Sequence, residues 1–257
     1  MLHGLPIAEH ILAANIRSVE ILPGIPYEPA PEIGAYIRKR LRQNPIQFDG
    51  VSWRMESYLL ENDLLVLKVG FGKYSQYRYT NLDPEARRRF PNQGQWFNAL
   101  AIGVVLVTAD SKIYFKRRPQ NVHLSPGRID IPCGHPSTLK ASPSTSSLWQ
   151  ALEMVVSKEV GKKIDLEFCF GFPIALIREE PKRADDLVFA VSTTSTSEDL
   201  RSVTEFETFF LDINPDAVGA FLKSDIEVSR PVPLALAHFG LRLFGRSWFE
   251  SLCQFPN

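Results

Sequence analysis

The sequence predicts a mixed α/β fold, α+β in its connectivity, with a central mixed sheet held between helices. Three stretches lead there. Residues 98–118 read as an apolar strand, NALAIGVVLVT, a turn at 109–111 and a returning strand, KIYFKRR. Residues 51–71 read as a hairpin, with VSWRMESYLL and LLVLKVGF flanking Glu61, Asn62 and Asp63. Residues 127–161 combine a short strand at 129–131, a Ser/Thr/Pro loop and a helix stopped at Gly161. Strands dominate and helices are interspersed, which favours a mixed sheet over a purely alternating parallel one.

Composition bounds the rest. A chain of 257 residues is long enough for one large domain, or for a core with an added subdomain. Apolar residues make up 44% and charged residues 23%, an ordinary globular balance. Lys plus Arg and Asp plus Glu both number 29, so no global field draws the chain to nucleic acid or to anionic lipid. Any anion site must be local. Cys133, Cys169 and Cys253 are too few and too scattered for a disulfide framework or a zinc site of paired cysteines. The N-terminus mixes His3, Glu9, His10 and Arg17 among apolar residues, unlike a secretory signal. The apolar run at 99–107 is far shorter than the ~20 residues of a spanning helix. The expectation is a cytoplasmic protein with no membrane and no nucleic-acid partner.

Residues 1–30 give no clear element, and Pro23, Gly24, Pro26 and Pro29 point to an extended or turning path. A helix starts near Pro31, with Ile33, Tyr36, Ile37 and Leu41 at helical spacing and Arg38, Lys39, Arg40 and Arg42 as its solvated side. FGKYSQYRYTN reads as a tyrosine-rich loop, and Asp83-Pro84 opens a short helix to Phe90. The strand at 98–108 is apolar almost throughout, as expected when both faces are covered. The helix ending at Gly161 buries Leu148, Leu152, Val155, Val156 and Val160; Gly161 suits a left-handed cap, and Lys162 and Lys163 suit the negative helix end. Strands follow at 164–177 and 186–194, then one at 205–213 leading to a helix opened by Asn214-Pro215. The last segment, 233–253, reads as a helix covering the sheet.

The helix at Gly161 carries the chemistry in question. Carboxylates at i, i+3 and i+4 share a helix face and can converge on a divalent cation. Here Glu159 is one such carboxylate, whereas Lys158 and Val155 occupy the neighbouring ligand spacings. A lysine ~4 Å from a divalent cation is repelled by roughly 8 kcal/mol at an effective dielectric of about 20, before the side chain swings away. Glu153 offers no substitute, because six residues earlier on a helix it points about 120° away.

Several features in order resemble the Nudix hydrolases, in particular a divergent subgroup acting on UDP-sugars. They are GKYSQYRYTN, VVLVTADSKIYFKRR, SPGRIDIPCGHP and SVTEFETFFLDI, and the likeness runs over about 35–245. Against the Nudix signature, Gly161 is the anchoring glycine, Glu159 the second paired glutamate and Val156 the apolar residue. Lys158 and Val155 replace the other ligands, Met154 the arginine and Lys162 the final apolar residue. The resemblance implies an α/β/α Nudix sandwich at 98–257 with an N-terminal extension at 1–97. It implies hydrolysis of a nucleoside-diphosphate sugar, UDP-sugar plus water giving UMP and sugar 1-phosphate, with magnesium as cofactor and Glu159 as its remaining box ligand. Glu205, before a late strand, is the second catalytic candidate.

The substrate-binding candidates are Lys73, Tyr74 and Asn81 for the nucleotide or sugar, and Arg117 and Arg118, after Lys116, for a diphosphate. Gly134 and His135 are candidates for a phosphate contact or for holding the turn, and Lys158 for a phosphate. Each competes with an ordinary role in packing or at a solvated surface. Cys133 reads as an inert core residue. Asp185-Asp186 and Glu179-Glu180 read as a solvated hairpin turn, with a relocated metal site as the other option. Two further functional readings remain at this point. One is a catalytically inactive Nudix-fold protein that binds a nucleotide or sugar nucleotide, and the other is an interaction role as a homodimer through the N-terminal region.

Overall fold

The computed structural model describes residues 11–46, 49–122, 125–136, 143–161, 164–179 and 184–253. Lys162, Lys163, Glu180 and most of the Ser/Thr/Pro loop lie outside the described residues. The fold is mixed α/β, built on one large mixed sheet with helices against both faces.

The main path of the sheet begins with β1 (Ile11–Ala14) and continues through β9 (Leu166–Glu179), β10 (Ala184–Thr193) and β5 (Ala99–Val107). It then runs through β3 (Val51–Glu61) and β4 (Leu64–Lys73) to β2 (Ser18–Pro26). The β3–β4 turn forms at Asn62 and Asp63, both at positive φ, as the hairpin requires. β5 pairs in parallel with β10 along its whole length. β1 and β2 lie at opposite ends of this path yet are joined by residues 15–17, and β2 touches β9. The sheet therefore curls until its ends approach one another.

Inside that curl lies α4 (Thr145–Val160). Leu148, Ala151, Leu152, Val155, Val156 and Val160 are buried against Leu100, Ile102, Val104 and Leu106 of β5. Ile21 of β2 and Leu65, Leu67 and Val69 of β4 close over the same cluster. The backbone N–H of Ile21 also donates to Thr145 Oγ1, 2.9 Å away. Ser144 caps the helix start by accepting from Ser147 N, and Gly161 ends it at φ 87°.

The other face of β5 and β10 is covered by α6 (Pro215–Lys223), α7 (Pro231–Phe244) and α8 (Arg246–Cys253). Asn214 caps α6 through Ala217 N at 2.8 Å. The segment expected as one terminal helix is two, broken at Gly245 with φ 87°. Trp248 of α8 lies over Gly240, where a Cβ would meet its ring at 2.2 Å. The absence of a side chain at Gly240 thus lets α8 fold back on α7.

Three other expectations need correction. The tyrosine-rich segment is helical, as α2 (Tyr74–Tyr77) and a π-helical turn (Arg78–Leu82). Burial of Tyr77 and Tyr79 stabilises it, and Thr80 Oγ1 donates to Gln76 O at 2.6 Å. α5 (Ser197–Val203) was not expected; Thr196 and Asp199 cap it reciprocally, a short signal hidden in a polar run. The third concerns the late strand: β11 (Thr208–Asp212) begins after Glu205, which sits in the preceding bend.

α1 (Pro31–Gln43) and α3 (Pro84–Arg89) form a small separate cluster through Ile33, Tyr36, Ile37, Ala86 and Phe90. Asp83 caps α3 and accepts from Tyr36 and Arg40. Among the described residues, no helix is long and apolar enough to cross a membrane.

Two substitutions test the role assigned to α4. Leu152→Ala should cost about 2–5 kcal/mol, because Leu152 is fully buried at the centre of the curl. Gly161→Ala should cost only about 1–2 kcal/mol, since nothing lies within 4 Å of a new Cβ and only the left-handed backbone opposes it. Urea unfolding measures both.

Candidate functional site

One edge of β5 is shared among three partners. β3 pairs at Ala99 and Leu100, β8 (Cys133–Gly134) at Ile102 and Gly103, and β6 (Lys112–Arg117) at Val107. β6 then departs to pair with β11 and with β7 (Ile129–Asp130). Where these partners diverge, a cavity of about 690 Å³ opens, and the C-terminal end of α4 reaches it.

Along β6 and just beyond it, side chains alternate between faces. Lys116 and Arg118 enter the cavity, whereas Arg117 points elsewhere. Arg117 pairs with Glu207 at 2.7 Å and donates to Gly127 O at 2.9 Å. Lys116, its side chain only 6% exposed, forms an ion pair with Glu159, and its ammonium lies 4.4 Å from the centre of the Phe206 ring. Gly134 leaves room beside that carboxylate: a Cβ there would lie 3.6 Å from Glu159 Oε1. Lys158 also lines the cavity.

The floor is acidic but compensated. Asp130 is buried, accepts from Arg118 at 2.6 Å and takes a hydrogen bond from Ser229. Burial raises the Asp130 carboxyl above its ordinary range, opposed by the Arg118 charge. Cys133 donates to Asp186 at 3.3 Å. Burial, reinforced by Asp186 and Asp130, pushes its thiol well up, so it stays protonated and is no nucleophile. The pair Asp185-Asp186 is therefore no solvated turn. Both residues are buried on β10, Asp185 facing Arg178 at 2.8 Å and Asp186 facing the cavity. An apolar strand that is covered on both faces carries them inward.

The remaining wall is aromatic. His135 packs against Tyr77 and Tyr74, with ring centroids 5.1 Å and 6.1 Å away. Burial holds its imidazole down at about 4; a hydrogen bond to the Leu100 carbonyl opposes this, and the Lys158 charge adds to it. His135 is thus neutral at physiological pH.

Tyr74, Arg118, Gly134, His135, Lys158 and Glu159 converge on this cavity. The other candidates do not line it. Glu205 is exposed in the bend, and its neighbour Phe206 faces the cavity instead. Lys73 ends β4, its backbone N–H donating to Gln76 Oε1 at 2.7 Å. Asn81 is fully buried and accepts from Thr80 at 2.5 Å. Sequence reasoning missed Ser52, Arg78, Asp130 and Ser229 as lining residues, and offered Asp186 only within a solvated turn or a relocated metal site. Asp130, within the GRIDIPCGHP stretch, and the acidic pair at Asp186 carried a local signal.

Nudix hydrolases generally use divalent metal ions. The donor set here does not fit a resident one. No group of three His, Cys, Asp or Glu side chains able to hold a metal occurs among the described residues. Glu159 is neutralised by Lys116, and Arg118 neutralises Asp130. The chemistry that the cavity does support is the grip of an anion by Lys116, Arg118 and Lys158 beside an uncharged aromatic wall.

No protein-family model matches the chain. It is similar to human uridine diphosphate glucose pyrophosphatase NUDT22, 29% identical over 168 residues, 58% of this chain and 55% of that one. The mouse protein of the same name is 31% identical over 135 residues, 46% of this chain and 44% of that one. The chain thus spans about half the length of the curated relatives it matches. A solved structure, the Bacillus subtilis pyrophosphohydrolase BsRppH, is 10% identical, with 55% of this chain and 81% of that one covered at a TM-score of 0.33. That likeness is too loose to argue from. The two named relatives agree with the resemblance carried by the sequence motifs, a divergent UDP-sugar pyrophosphatase of the Nudix type.

The buried neutral His135 has a consequence for stability. Its proton is taken up near 6.5 in the unfolded chain but only near 4 in the folded one. Between those values the unfolded state binds more protons, so this group's contribution falls as pH drops from about 6.5 towards 4. His135→Asn should remove that slope. In urea unfolding from pH 7 to 4.5, the variant should gain on the wild type by about 1–3 kcal/mol as pH falls.

Proposed function

We propose that this chain is a Nudix-type phosphohydrolase that cleaves the pyrophosphate of a UDP-sugar, releasing UMP and a sugar 1-phosphate. The observation that carries the reading is the cationic wall of Lys116, Arg118 and Lys158 set around Glu159 at the end of α4. The named relatives, uridine diphosphate glucose pyrophosphatases, support the substrate class. They also disfavour the reading as an inactive binder.

In this reading the diphosphate competes with Glu159 for Lys116. Both partners of the ion pair are largely buried, so the arriving diphosphate, with two negative charges against one, offers Lys116 a second anionic partner. Arg118 is held by Asp130, and its planar guanidinium has the geometry that suits phosphate oxygens. Water attacks one phosphorus as the bridging P–O bond breaks, and the charge that develops on the leaving phosphate is met by these cations. Glu159, released from Lys116, is the carboxylate placed to orient that water and take its proton. Magnesium is the cation the resemblance implies, and it belongs in the assay; the residues described here supply no separate cage for it.

Purified protein incubated with UDP-glucose and magnesium should release UMP and glucose 1-phosphate. Glu159→Gln should lower turnover by about 100-fold or more, as expected for loss of a group that moves a proton in the transition state. Absence of product across a panel of nucleoside-diphosphate sugars, or an unchanged rate in the variant, would refute this assignment.

A further inference from the structure

Two buried polar atoms, each on a residue that lines the cavity, are left without a partner among the described residues. Ser52 is fully buried, and its Oγ finds no hydrogen bond among the described residues. The same holds for His135 Nδ1. Buried polar atoms in native proteins are nearly always satisfied, and an orphan in a cavity wall commonly awaits a ligand or a water. Two on one wall are a stronger sign than one.

Their placement follows from the sheet. β3 leaves the edge of β5 after Trp53 pairs with Leu100, and β8 takes over where Gly134 pairs with Ile102. Ala101 lies between, and it too lines the cavity. Ser52 precedes Trp53 and His135 follows Gly134, so the two orphans flank the break from opposite strands.

Their chemistry is specific. The Leu100 backbone interacts favourably with the protonated side of the His135 ring, while Nδ1 finds no partner. Nδ1 of the neutral ring is then an acceptor. A phosphate oxygen is also an acceptor and gives such a nitrogen nothing to bind. What satisfies it is an N–H or O–H. The Ser52 hydroxyl, in turn, can donate to a carbonyl or hydroxyl oxygen. The side of the cavity at Lys116, Arg118 and Lys158 has the opposite preference, for anions alone.

We propose that Ser52 and His135 form a neutral recognition notch for a group with a hydrogen-bond donor beside an acceptor, carried by the non-phosphate part of the substrate. This rests on the functional reading above and adds to it a division of the cavity. Two parts of a UDP-sugar have that chemistry: the imide edge of uracil and the hydroxyls of the sugar. The Tyr74 and Tyr77 rings beside His135 offer either one a flat, uncharged neighbour.

Calorimetric titration of the full chain with UDP-glucose, UDP and inorganic pyrophosphate tests the division. His135→Phe keeps a flat ring and removes the acceptor. It should weaken UDP-glucose by about tenfold, the loss of one buried hydrogen bond, and leave pyrophosphate unchanged. His135→Asn, whose amide oxygen can stand in for Nδ1, should recover most of the loss. Ser52→Ala should weaken the same ligands as His135→Phe, and it decides the matter if the Phe variant does not fold. A loss shared by UDP and UDP-glucose places uracil in the notch; a loss seen with UDP-glucose alone places the sugar there. Unchanged affinity for UDP-glucose in both variants, or an equal loss for pyrophosphate, overturns the notch while leaving the functional reading standing. A wild-type protein that binds pyrophosphate but discriminates against every UDP compound overturns both.

Discussion

The edge of β5 cannot be completed by a single partner, and the cavity exists because of it. β5 is buried on both faces and fully paired to β10 on one side. On the other side β3, β8 and β6 each take only a short section. Every backbone group on a buried edge needs a partner, so three segments must converge there. Their divergence beyond the edge leaves a hollow, and each delivers a side chain to it. Ser52 comes with β3, His135 with β8, and Lys116 with β6.

α4 completes the hollow because the sheet curls around it. The helix is held by β2 and β4 as well as by β5, so residues long before the central stretch position Glu159. The N-terminal strands are therefore part of the machinery that aims the helix end. They also contribute directly, since Tyr74 and Tyr77 follow β4 and face the same space as His135.

Electrostatically, the cavity is balanced rather than open. Glu159 is matched by Lys116, Asp130 by Arg118, and Cys133 stays protonated against Asp186. Breaking a buried pair by removing one partner is costly, because a lone charge is left in a low-dielectric setting. An incoming diphosphate removes no charge; it offers Lys116 a new partner. This exchange connects the packing of α4 with the chemistry proposed for the cavity.

Much of this was written in the chain itself. The spacing of Leu148, Leu152, Val155, Val156 and Val160 determined which face of α4 is buried, and Gly161 where the helix stops, because helical periodicity and a left-handed cap are local properties. Asn214-Pro215 and Asp83-Pro84 marked helix starts for the same reason. The convergence of Tyr74, Arg118, Gly134, His135, Lys158 and Glu159 drew on motif resemblance as well as on local pattern. Tertiary structure alone decided that Lys116, rather than Arg117, meets Glu159, and that Asp186 faces inward. It also decided that Ser52 and His135 are left unpaired on one wall. Those facts depend on which strand each segment pairs with and where that pairing ends, and contacts between residues 43 and 53 positions apart leave no periodic trace in a sequence.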